Sequence, residues 1–109
     1  MLIDTFIKLD AEVKEKEYGA DTGTTSCVVL ITDKEIYCAN AGDSRSVLFT
    51  GVKVVALSED HKPDNKEELD RIMKANHFVE DSRVDGNLAL SRAFGDFQYK
   101  DQANLAPEK

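Results

Sequence analysis

Apolar residues recur at spacings of three and four from Leu2 to Val13. Leu2, Ile3, Phe6, Ile7, Leu9 and Val13 fill one side of a helical projection, while Lys8, Asp10, Glu12 and Lys14 fill the other. This pattern predicts a surface helix with one buried face. Only Met1 precedes it, so the usual Ser, Thr, Asp or Asn cap is missing, and we read the element as truncated. "YGADTGTTS" then breaks the period with glycines and small polar residues.

The period changes after this break. "CVVLI" is a continuous, largely β-branched run of the kind found in a strand covered on both faces. Thr32-Asp33-Lys34 separates it from "EIYCANA", and the two runs predict a hairpin. "RSVLF" and "VKVVAL" flank Thr50-Gly51 and extend the prediction to an antiparallel meander of about four strands. Beyond Leu57, Pro63 leads into Asp64 and Asn65 as helix caps, with Glu67 and Glu68 completing a capping box and Leu69, Ile72 and Met73 as the buried stripe. Short strands or irregular loop are expected over "NHFVEDSRVDGNLALSRAFGDFQYK", punctuated at Asp85-Gly86 and Gly95-Asp96, and a loose tail from Asp101 to Lys109.

At 109 residues this is one domain at most, with a modest core and no internal repeat or linker. The net charge of −7 and the lack of a Lys/Arg cluster argue against nucleic acid as a partner. No apolar run is long enough to span a membrane, and no signal-peptide pattern is present, so the expected location is intracellular, cytoplasmic or nuclear. Cys27 and Cys38 lack metal-ligand spacing and read as free buried thiols; His61 and His77 are isolated from each other.

Single motifs leave the chemistry open. Gly42-Asp43-Ser44 has turn composition, yet it also holds a carboxylate at a strand end. Asp60-His61-Lys62-Pro63 suits a rigid loop entering a helix as well as a metal or acid/base site. Arg92 suits a phosphate as well as a surface ion pair. The order of the pieces is more specific. "GTTSCVVLI", "ANAGDSRSVL", "LSEDHKPDNKEELDRI" and "RVDGNLALSRAFGDFQYK" closely resemble, in that order and at similar separations, the central part of the metal-dependent Ser/Thr protein phosphatases of the 2C type, the PPM family.

The resemblance implies an α+β fold, part of an α-β-β-α sandwich of antiparallel sheets that is incomplete in this chain. It implies hydrolysis of phosphoserine and phosphothreonine in protein substrates by water activated between two Mg²⁺ or Mn²⁺ ions, without a covalent nucleophile. Asp43 matches a family carboxylate that faces an additional, more weakly held metal beside that pair. Residues 1–109 correspond to the central portion of a single phosphatase domain, with 64–100 as a flap-like segment beside the active site.

The family's Asp-Gly-His-Gly-Gly block, its later Asp-Gly and Asp-Asn blocks and its upstream phosphate-binding Arg are missing. No catalytic residue is therefore assigned, Asp43 is the one metal-facing candidate, and no substrate-binding residue is named. The expectation is an inactive central piece of an active phosphatase, whose incomplete sheet favours self-association; the alternative is a non-catalytic pseudophosphatase-like binding module. Asn76-His77 replaces a small glycine pair, so the flap backbone is expected to differ there.

Overall fold

The computed structural model describes residues 1–19 and 21–100, so the tail expected to be loose lies outside the described residues. Helix α1 spans Leu2–Lys14 and is followed by strands β1 (Gly23–Thr24), β2 (Ser26–Ile31), β3 (Ile36–Ala41), β4 (Val47–Phe49) and β5 (Val54–Ala56). Helix α2 (Lys66–Lys74) leads to β6 (Val79–Glu80), β7 (Arg83–Val84) and β8 (Phe94–Gly95). The mixture of two helices and small antiparallel ladders is the α+β class expected.

Local pairing follows the sequence pattern. β2 pairs with β3 from Ser26↔Ala41 to Ile31↔Ile36, closed by Thr32, whose side chain accepts from the Glu35 amide at 3.0 Å. β4 pairs with β5 from Val47↔Ala56 to Phe49↔Val54, around the Gly51 turn. The expected four-stranded meander does not form: the two hairpins are separate ladders. After Ala41 the chain leaves the sheet at Gly42 (φ 109°), and residues 42–45 bond to residues 60–62 instead of returning along β3.

β1 and β8 meet through Gly23↔Gly95 and Thr24↔Phe94, a pairing between distant segments that no local pattern predicts. Gly95 has φ 77° and a Cβ there would strike the backbone oxygen of Thr22, so the close approach requires glycine at that position. The adjoining α1 packs Phe6 on Phe94, ring centroids 5.0 Å apart. Asp10 accepts from the Gly95 amide at 2.7 Å and from Lys100 Nζ at 2.7 Å. No residue of α1 is fully buried, so its inner face is only half covered.

The core lies in the second half of the chain, where Pro63, Ile72, Ala75, Val84, Phe94 and Phe97 are buried. On α2 the inward positions are Glu68, Ile72 and Ala75, spaced by four and three, while Met73 is 60% exposed. This corrects the expected stripe, because a carboxylate takes an inner position and Met73 turns outward. The capping box also fails to form: Asn65 makes no side-chain cap bond and donates instead to Asp60 O at 2.8 Å, and Glu68 is drawn inward by arginines. "CVVLI" is not covered on both faces; Val28, Val29, Leu30 and Ile31 are exposed, and both thiols are free but only half buried. Asn76 itself adopts a left-handed φ of 63°, a conformation asparagine tolerates better than most residues, and His77 reaches Asp85 Oδ2 at 2.6 Å.

Candidate functional site

Three of the distinctive sequence blocks converge where β3 ends. The Gly42 amide donates to His61 Nδ1 at 3.1 Å, and the His61 amide returns a bond to Gly42 O at 3.0 Å. Asn40 Nδ2 donates to Glu59 O at 2.8 Å, and Arg45 grips Asp60 with Nε at 2.8 Å from Oδ1 and Nη2 at 2.9 Å from Oδ2. Lys62 Nζ donates to Asp43 Oδ2 at 2.8 Å. The third block joins from the segment before β8, because the Ser91 amide donates to His61 O at 3.1 Å. Gly42 is buried beneath it: a Cβ there would strike the Thr25 side chain and lie 2.9 Å from Arg92 O. Sequence reading left the Asp60-His61-Lys62-Pro63 block open, and the fold assigns it as the partner of the Asp43 turn.

The protonation states suit this arrangement. Burial pushes the His61 pKa below its usual 6.5, and the nearby Arg92 adds to the effect. The imidazole is therefore held neutral, as it must be for Nδ1 to accept the Gly42 amide. The Arg45 hydrogen bond holds the Asp60 carboxyl below its ordinary range.

Behind the turn, Glu68 receives Arg92 Nη2 at 2.7 Å, Arg71 Nη2 at 2.9 Å and Ser91 Oγ at 2.7 Å. Burial alone would raise its pKa, but these hydrogen bonds outweigh burial and bring it down to about 2. Arg92 is thus committed to a carboxylate, the second of its two sequence readings. Sequence reading placed Glu68 in a capping box and left the roles of His61 and Lys62 open. The available signal for Glu68 was a charge in helical register with Ile72 and Ala75.

Asp43 is half buried, 28% exposed at its side chain. A carboxylate is a suitable hard ligand for a divalent cation. Among the described residues, however, no group of three His, Cys, Asp or Glu could hold a metal ion. The chain fits one carboxylate arm of a cation site and does not build such a site alone.

A family model described as Protein phosphatase 2C matches residues 1–108. This chain belongs to the protein phosphatase 2C family. It is 49% identical over 109 residues to "Protein phosphatase 2C homolog 2" of Hypocrea jecorina, which covers 98% of this chain and 25% of that relative. "Protein phosphatase 2C homolog 3" of Schizosaccharomyces pombe is 50% identical over 110 residues, 99% of this chain and 26% of its own length. "Probable protein phosphatase 2C 6" of Paramecium tetraurelia is 43% identical over 122 residues, 99% and 41%. A crystal structure of a phosphatase from Toxoplasma gondii superposes with a TM-score of 0.71 at 27% identity, covering 96% of this chain and 48% of that one. The chain therefore spans between a quarter and a half of the length of these matching proteins.

Proposed function

We propose that this chain forms the central scaffold and flap of a protein serine/threonine phosphatase that removes phosphate from phosphoserine and phosphothreonine in proteins. The observation that carries this reading is the convergence of the Asp43 turn, the His61 loop and the Ser91–Arg92 flap segment through mutual hydrogen bonds. The chain's own part is positional: His61 anchors the turn, the Ser91 amide ties the flap to the His61 loop, Glu68 and Arg92 brace the flap within itself, and Asp43 would face the cation. In the complete domain Mg²⁺ or Mn²⁺ supplies the activated water and neutralises phosphoryl charge. The two unpaired thiols support an intracellular setting. Exposed apolar strand residues such as Ile31 and Phe49 support self-association of the chain.

The test is phosphate release from a phosphothreonine peptide. The 109-residue chain with Mn²⁺ releases none, whereas the complete domain carrying it turns over and loses activity with Asp43→Ala. Metal-dependent turnover by the 109-residue chain, abolished by Asp43→Ala, overturns the division of labour. A complete domain with no turnover points to the binding module instead.

A further inference from the structure

Cys27 and Cys38 lie diagonally across the β2–β3 ladder, since Cys27 pairs with Asn40 and Cys38 with Val29. Residues opposite each other and residues two apart on a strand share a face, so both thiols project to one side of the hairpin. They meet there: the Cys38 thiol donates a hydrogen bond to the Cys27 sulfur. Cys27 Sγ also lies 3.0 Å from Ser46 Oγ and 3.8 Å from Ser58 Oγ, which ties this hairpin to the residues flanking the β4–β5 ladder. The two sulfurs differ. The Ser46 hydroxyl leads in holding the Cys27 thiol below its usual range, whereas burial pushes the Cys38 thiol up. Both are free and only half buried, so a small oxidant can reach them.

We propose that Cys27 and Cys38 form an oxidative modification site, closed by hydrogen peroxide to an intrachain disulfide that releases the serine joint between the two ladders. The inference does not depend on the phosphatase reading. The Cys27 thiolate attacks one oxygen of the peroxide, the O–O bond breaks, and hydroxide leaves and is protonated to water. Cys27 is now a sulfenic acid, its sulfur oxidised by two electrons. The Cys38 sulfur, giving up its proton, attacks that sulfur; the S–S bond forms, the S–O bond breaks, and a second water carries the proton away. Diagonal positions in a ladder lie about 7 to 8 Å apart at Cα, beyond the roughly 7 Å that a relaxed disulfide spans. Closure therefore draws the hairpin together locally and leaves a bond that thiols reduce readily. It also takes Cys27 Sγ away from the Ser46 and Ser58 hydroxyls.

The experiment treats the reduced 109-residue chain with hydrogen peroxide, blocks remaining thiols with N-ethylmaleimide and maps the sulfurs by peptide mass spectrometry. The dispersion of the amide spectrum reports that the chain is folded. Expected are loss of N-ethylmaleimide uptake at both sulfurs, a cross-linked Cys27–Cys38 peptide from the monomer, and recovery of both thiols with dithiothreitol. In Cys38→Ser, dimedone is expected to trap a sulfenic acid at Cys27. The Ser46 amide donates to Ser58 Oγ at 2.9 Å, and its protection from exchange is expected to fall roughly two- to tenfold in the oxidised chain, as for one weakened hydrogen bond. Thiols that still take up N-ethylmaleimide, or cross-links found only between chains, overturn the proposal without any variant. Trapping at Cys38 in Cys27→Ser with none at Cys27 in Cys38→Ser overturns the choice of attacking sulfur, and unchanged protection at Ser46 overturns the release of the joint.

Discussion

At the scale of single residues, Glu68 and His61 make the fold sensitive to acid in two separate windows. Glu68 has its folded pKa lowered from 4.5 to about 2, so its contribution is complete above 4.5 and is lost as pH falls toward 2. That shift corresponds to about 3 kcal/mol. Glu68→Gln is expected to cost a similar amount at pH 7, about 3 kcal/mol by urea unfolding, and to flatten the stability profile below pH 4.5. His61 also has a lowered folded pKa, but as a base: its contribution is complete above 6.5 and declines as pH falls below that value. Proton binding at Nδ1 would break the Gly42 bond, so the protection of the Gly42 amide relative to its intrinsic exchange is expected to fall as pH drops below 6.5. Gly42→Ala tests the same joint from the other side. Its φ of 109° and the crowding by Thr25 and Arg92 predict a loss of about 2 kcal/mol and faster exchange at the Ser91 amide.

At the scale of elements, α2 owes its placement to its two ends and its inner face more than to a capping box. Glu68, Ile72 and Ala75 face inward, and the buried carboxylate collects Arg71, Arg92 and Ser91 from two segments. Asn65 ties the start of the helix back to Asp60 O. Asn65→Ala is therefore expected to lower the unfolding free energy measured in urea by about 1 kcal/mol, the value of one hydrogen bond. Asn65→Ser, although a good capping residue, does not restore it, because serine is too short to make the amide's bond to Asp60. Full recovery with serine would mean that capping, not the loop bond, is what Asn65 provides.

At the scale of the molecule, the core and the exposed surface are divided along the chain. The buried apolar residues Ile72, Ala75, Val84, Phe94 and Phe97 all lie in the second half of the chain, whereas Val47, Phe49 and Val54 of the β4–β5 ladder are 57%, 67% and 64% exposed. The accessible surface of 7819 Å² exceeds the roughly 6,000 Å² expected for a compact monomer of 12.1 kDa. The radius of gyration of 15.1 Å likewise exceeds the about 13 Å of a compact domain near this length. Exposed apolar side chains such as Val47, Phe49 and Val54 predict concentration-dependent association of the chain, measurable by sedimentation velocity. The pair Ile31→Lys and Phe49→Lys should reduce association while changing monomer stability by only about 0.5 kcal/mol. A chain that sediments as a monomer at every concentration contradicts this expectation.

What the sequence determined by itself was whatever depends on near neighbours and on the order of blocks. Helical spacing marked α1 and α2, turn residues marked both hairpins, and the order of the four blocks carried the family and its fold. Asp43 was legible as a strand-end carboxylate because Gly-Asp-Ser has a local meaning. Only the tertiary structure decided what that turn touches. His61 and Lys62 lie nineteen residues from Gly42 and Asp43, and Arg92 lies twenty-four from Glu68. Contacts at such separations leave no period in the chain. They are selected when burial makes an unpaired amide or carboxylate costly, so that Glu68 abandons the helix cap for two arginines and the chain leaves the sheet at Gly42.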